Sequence, residues 1–256
     1  MMIPSWSSEQ WKILATLVMT HLCNGLCVSL QAPFYPAEAA KKGASATEYG
    51  LVFGIFELTV FIVSPIVGKY LPKIGVGRAF SGGISVTGLM CVAFGFLNHI
   101  EDCKTFIGLS FVIRVVEACG NSAFLSSSFT LVAQMFPTTV STVFGVVEMS
   151  FGVGMIIGPT VGGALFQLGG FTIPFGVLGG ILLIQAAISS QTLPLLKENS
   201  QSTMDSGLGL VQAFKVPSIM LATFSVFSAS IAVGALQVTR YYNNKNLVLL
   251  KFVIDL

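Results

Sequence analysis

Five titratable residues stand inside long apolar stretches of the chain: His21, Glu57, Arg114, Glu117 and Glu148. A charge at the centre of a membrane helix costs about 2.5–3.5 kcal/mol on insertion scales, whereas a Leu or Phe returns only about 0.3–0.6. Side chains of this kind are therefore expected to face a cavity or a partner rather than lipid. Arg114 and Glu117 lie three apart, on one face of a helix, and are placed to pair. Carboxyl groups in such surroundings are suited to taking up and releasing protons. Three glutamates against one arginine leave a mildly acidic interior, which favours a cation over an anion. Tyr49, Phe53 and Phe56, near Glu57, can add cation–π contacts to an amine, although most aromatic residues in membrane helices serve packing. Glu57 and Glu117 admit either transport chemistry or structural pairing, and Glu148 falls between these readings and that of His21. Arg114 reads as an organiser of the network, and His21 as a hydrogen-bonded packing residue.

Other chemistry is sparse. Cys23, Cys27, Cys91, Cys103 and Cys119 form no CxxC pair, and His21 and His99 are the only histidines, so no metal site is expected. Four of the cysteines read as small buried hydrophobes, with Cys103 the exposed one. The sequence has no phosphate-binding glycine loop, no GxSxG and no HExxH, which argues against an enzyme. A net charge of +2 without a basic cluster argues against a nucleic-acid partner.

The elements that position these residues follow from composition. Hydrophobic residues make up 54% of the chain and charged residues 9%, with a mean hydropathy of +0.84. Soluble domains carry about 25% charged residues. Lipid is thus the expected solvent, and the fold class is all-α integral membrane. Apolar windows predict spans at 12–33, 48–71, 79–98, 105–135, 140–168, 171–193 and 217–238. The turn Gly169-Gly170 makes the fifth and sixth a tight antiparallel pair. The expected organisation is a six-span unit over 1–193, a cytoplasmic linker over 194–216, a seventh span over 217–238 and a tail over 239–256. Lys12, Lys69, Lys73, Arg78, Lys197 and Lys215 fall on one side, so the positive-inside rule places the N-terminus in the cytosol. A seven-helix receptor fits the span count but reverses that orientation. The tail holds Arg240, Lys245 and Lys251 on the wrong side, and its apolar part is too short to cross a bilayer. It reads as sequence that has left the parent fold, as in a truncated or alternatively spliced product.

The fifth span has its own signature. In FGVGMIIGPTVGGALF, Gly154, Gly158 and Gly162 recur every four residues and strip one helix face for close approach by another helix. Pro159 removes a backbone donor, and with Gly163 it makes the helix pliable. This run resembles motif C of proton-coupled antiporters in the major facilitator superfamily. The segment GKYLPKIGVGR, residues 68–78, resembles motif A through Gly68, Lys73, Gly75 and Arg78. Pro72 stands where that motif has an aspartate, so the charge-locked gate assigned to the aspartate does not carry over. IRVVEACGNSAF is similar to motif B, with Arg114 and Gly120 in the matching places. Within the superfamily, the segment FGIFELTVFIVSPIVGKYLPKIGVGRAF is similar to the vesicular amine branch, solute carrier family 18, and to its polyamine carriers.

The resemblance spans residues 10–238. It implies the N-terminal six-helix half of a two-half fold, followed by the first helix of the second half. It further implies exchange of protons for organic cations across a vesicle membrane by alternating access, driven by a proton gradient without another cofactor. The substrates implied are polyamines such as spermidine and spermine, and monoamines. The fifth helix is expected at the interface between the halves. Because such a site lies between two halves, the alternative expectation is a non-transporting half that pairs with or inhibits a full-length carrier.

Overall fold

Every long apolar stretch before residue 193 forms a helix. The computed structural model describes residues 6–193, and the expected linker, seventh span and tail at 194–216, 217–238 and 239–256 lie outside the described residues. The helices are α1 (Ser8–Lys41), α2 (Ala46–Ile74), α3 (Val76–Phe96), α4 (Cys103–Met135), α5 (Val140–Gly169) and α6 (Thr172–Thr192), with a 3₁₀ turn at Leu97–His99. α1, α2 and α4 begin before their apolar windows, where polar caps extend them. Ser7 and Gln10 form a capping box at the start of α1, as Ser45 and Glu48 do for α2. Asp102 caps α4 by accepting the Thr105 amide at 2.8 Å. Pro33 and Pro36 sit within α1, and Pro159 within α5, without ending either helix.

Gly75 joins α2 to α3 in a single residue. Its φ of +89° is a left-handed conformation that glycine adopts without a Cβ penalty. Its amide bonds the Leu71 carbonyl at 2.9 Å, and its carbonyl accepts from Ala79 at 3.0 Å, so one residue closes one helix and opens the next. Gly170, at φ +69°, makes the corresponding turn between α5 and α6.

In the bundle, α1 lies along α5 and touches α6, α3 packs between α4 and α6, and α2 runs along α4. Glycine sets the closest crossings. A side chain at Gly83 would strike the backbone of Gly120 and Phe124 at 2.6 Å, and one at Gly179 would meet the Gly88 carbonyl at 2.9 Å. At the opposite end from the α2–α3 turn, Lys42 donates to the carbonyls of Asn98 (3.0 Å) and Ile100 (2.7 Å) and sits 3.7 Å from Glu38, tying α1 to the α3–α4 connection.

Five of these helices are long and apolar enough to cross a membrane. α4 is not among the five, because Arg114, Glu117, Asn121 and its buried serines lower its hydropathy. The apolar stretches also differ in burial. It reaches 67% in α1 and 56% in α3, but only 17% in both α2 and α5.

Candidate functional site

A line of buried polar side chains runs between α1 and α4. The two helices are antiparallel along this seam, since ascending positions on α1 meet descending positions on α4. His21 faces Ser128, with 3.4 Å between Nε2 and Oγ, and Asn24 donates to Asn121 Oδ1 at 3.2 Å. Gln31 Nε2 donates to Glu117 at 3.2 Å (Oε1) and 3.4 Å (Oε2). On α4, Arg114 Nη1 bonds Glu117 Oε2 at 2.9 Å. Gln185 of α6 joins the line by donating to Thr20 Oγ1 at 3.1 Å. From His21 to Gln31 is ten residues, about 15 Å along the helix and half the hydrocarbon thickness.

The local sequence explains why these groups converge. Asn24 and Gln31 are seven apart, as are Asn121 and Ser128, which places each pair two turns apart on one helix face. All are buried, along with His21, Arg114 and Glu117. A buried ion pair is worth little unless its remaining hydrogen-bonding capacity is also met. Here Gln31 supplies part of that capacity to Glu117. Two buried polar atoms near the pair have no hydrogen-bond partner among the described residues: Gln31 Oε1 and Arg114 Nε. The Arg114 guanidinium instead lies against aromatic rings of α2, 4.1 Å from the Phe56 centroid and 5.8 Å from that of Phe53.

His21 Nδ1 lies 2.9 Å from the Leu17 carbonyl, which can only accept, so Nδ1 carries the proton. In the neutral ring Nε2 is then an acceptor, turned towards Ser128. A tilted contact with Phe124, at 4.7 Å between centroids, completes its setting.

The sequence candidates thus separate into two groups. His21, Arg114 and Glu117 share the seam. Glu57 on α2 and Glu148 on α5 are exposed and make no ion pair among the described residues. Phe56 lies next to Glu57 in sequence yet turns inward to Arg114, because successive residues on a helix point about 100° apart. The cysteine reading also needs correction: Cys23, Cys27 and Cys91 are buried and Cys103 is half-buried, but Cys119 is exposed on the outer side of α4. Missing from the sequence reading were Asn24, Gln31, Tyr35, Asn121 and Ser128. For Asn24 and Gln31 the signal was there in the seven-residue spacing of two amides inside an apolar helix.

The glycine face of α5 is turned to α1 within this bundle rather than outward to a second half. A side chain at Gly154 would strike the Leu22 carbonyl, one at Gly158 would strike Ser29, and one at Gly162 would strike Leu30. Gly25 of α1 answers them, since its Cβ would strike the Phe151 carbonyl. Gly163 has open space and Pro159 is exposed, so these two lie outside the tight contact.

At the motif A-like turn, Gly68 faces open space, whereas Gly75 packs beneath the Arg78 guanidinium, 3.2 Å from its Cβ position. Lys69 and Lys73 lie 5.9 Å from the Tyr70 ring. A cavity of ≈ 210 Å³ lined by Gly77, Arg78, Ser81 and Ser190 opens beside this turn. Across the bundle, the Thr105 hydroxyl and amide hold the Asp102 carboxyl below its ordinary range.

The family model for the Major Facilitator Superfamily matches residues 17–250. The chain belongs to the major facilitator superfamily. This is a family of transporters rather than enzymes, and the helices fit a partial fold of that family. The human protein named MFS-type transporter SLC18B1 is 36% identical over 238 residues, covering 92% of this chain and 51% of that protein. Its mouse counterpart is 35% identical over 91% of this chain and 50% of its own length. More distantly, the human synaptic vesicular amine transporter is 23% identical over 74% of this chain and 36% of its length. The chain spans about half the length of the curated SLC18B1 relatives that it matches.

Proposed function

We propose that this major facilitator chain contributes to proton-coupled antiport of organic cations across a vesicle membrane. The observation that carries the reading is Glu117, a buried carboxylate held by Arg114 and Gln31 inside a helix bundle. Such a group can exchange a proton for a cationic amine, since each neutralises its charge in turn. Relatedness to vesicular amine transporters favours amines, and the resemblance of residues 53–80 to polyamine carriers puts spermidine and spermine foremost, with monoamines next. Lysine and arginine placement supports a cytosolic N-terminus, with protons leaving the vesicle as amine enters. The proton gradient is the sole energy source in this scheme, and alternating access moves the site between the two faces.

A second reading rests on α2 and α5. Their poorly buried faces carry Glu57 and Glu148, which favours coverage by another six-helix half. In that reading the chain pairs with a full-length carrier and inhibits it rather than transporting by itself.

Spermidine uptake into proteoliposomes holding only this chain, with an acidic interior, separates the two. The first reading expects uptake that a protonophore abolishes. No uptake by this chain, together with co-precipitation and reduced uptake of a full-length carrier, supports the second.

A further inference from the structure

Arg114 and Glu117 do not meet in the forked geometry open to a guanidinium and a carboxylate. One bond joins them, from Nη1 to Oε2 at 2.9 Å, and Arg114 Nε is left without a partner among the described residues. The guanidinium lies instead against the Phe56 ring, 4.1 Å from its centroid, with Phe53 at 5.8 Å. Phe56 is itself buried, so its position is set by the bundle. A cation over an aromatic face is attracted to it, and the attraction grows as water is excluded. That attraction is of the same order as one charge-assisted hydrogen bond, so the ring competes with a second carboxylate contact.

One oxygen of Glu117 benefits. Oε1 is met by Gln31 Nε2 at 3.2 Å and has no bond from Arg114. Because Gln31 donates through its nitrogen, its own Oε1 faces elsewhere, buried and without a partner among the described residues. Two acceptors, one charged and one neutral, thus belong to the same pair of residues. A protonated amine carries several N–H donors and suits such a set.

We propose, resting on the amine-transport reading, that Phe56 is a positioning residue: it keeps Arg114 on one oxygen of Glu117 and leaves the other to an organic cation, with Gln31 Oε1 as second acceptor. Without the ring, the guanidinium closes onto both oxygens and competes with the cation. Glu57, exposed on the same helix, takes no part in this contact.

Stepwise fluorination of the ring at position 56 tests the assignment in the purified full chain. Fluorine drains the negative face of the ring while barely changing its shape, so packing alone predicts no trend. Two readouts are followed, spermidine affinity and the midpoint of thermal unfolding without ligand. The expected result is a graded fall in both, with affinity dropping roughly two- to five-fold across the series. Phe56→Trp should retain affinity and Phe56→Leu should lose it, while in an Arg114→Met background the series should be flat. A flat series in the otherwise native chain, with spermidine binding intact, overturns the role of Phe56 alone. If the native chain binds no spermidine, the amine reading falls and the assignment of Glu117 Oε1 falls with it, whatever the unfolding series shows.

Discussion

Glu117 and Glu57 are the same residue type in two long helices that pack along each other, yet the bundle treats them in opposite ways. Glu117 is 1% exposed and engaged by two neighbours, Arg114 and Gln31. Glu57 is exposed on a helix whose apolar stretch is only 17% buried, flanked by Leu58 and Phe61 at 52% and 78% exposure. Glu148 on α5 repeats that pattern beside Met149. The difference separates what the six-helix unit satisfies by itself from what it presents outward. Along the α1–α4 seam polar groups answer one another, and on α2 and α5 the glutamates are exposed with no ion pair among the described residues.

Breaking the seam should have the largest effect. Arg114→Leu leaves Glu117 buried without its counter-charge, and loss of one partner of a buried pair costs about 3–5 kcal/mol. A large drop in the thermal unfolding midpoint of the detergent-solubilised chain is expected. If Arg114→Leu unfolds at the native midpoint, the seam is not the stabilising network described here.

The outward glutamates should behave otherwise. Glu57→Gln and Glu148→Gln should change the stability of the six-helix unit by no more than about 0.5 kcal/mol, as for other exposed positions. In a transport-competent assembly, Glu57→Gln should still abolish proton-driven amine uptake. Loss of stability would place Glu57 among the structural residues. Uptake that survives both Glu57→Gln and Glu117→Gln would remove the two from the mechanism.

The smallest effect lies at the start of α4, where a titratable group is already satisfied by local bonds. The Asp102 carboxyl is held below its ordinary value of 3.8 by Thr105. Its stabilising contribution is therefore complete above pH 3.8 and is lost as the pH falls through the lower native value. Hydrogen exchange at the first turn of α4 should quicken over that acid window, and Asp102→Ala should exchange quickly at all pH values. Unchanged protection in the variant would show that the cap does not hold this turn.

Much of the fold was legible because membrane helices announce themselves. Runs of about 20 apolar residues need backbone bonds satisfied within the segment, and helices provide them. The ends were less legible: Ser7, Ser45 and Asp102 extend the helices through capping bonds that hydropathy does not register. In the candidate site, the Arg114–Glu117 pair was readable because residues three apart on one helix are neighbours. The bond from Gln31 to Glu117 spans 86 positions, and nothing local points to it.

By itself the sequence determined the solvent, the number of helices before residue 193, the turn at Gly169-Gly170 and the ion pair on α4. Each depends on composition or on contacts within a few residues. Only the tertiary structure decided that the glycine face of α5 meets α1, that Phe56 lies over Arg114 while Glu57 turns outward, and that three polar rungs join α1 to α4. Those outcomes depend on how each helix rotates about its axis and which neighbour it crosses. Packing of whole faces sets that choice, and no single residue encodes it.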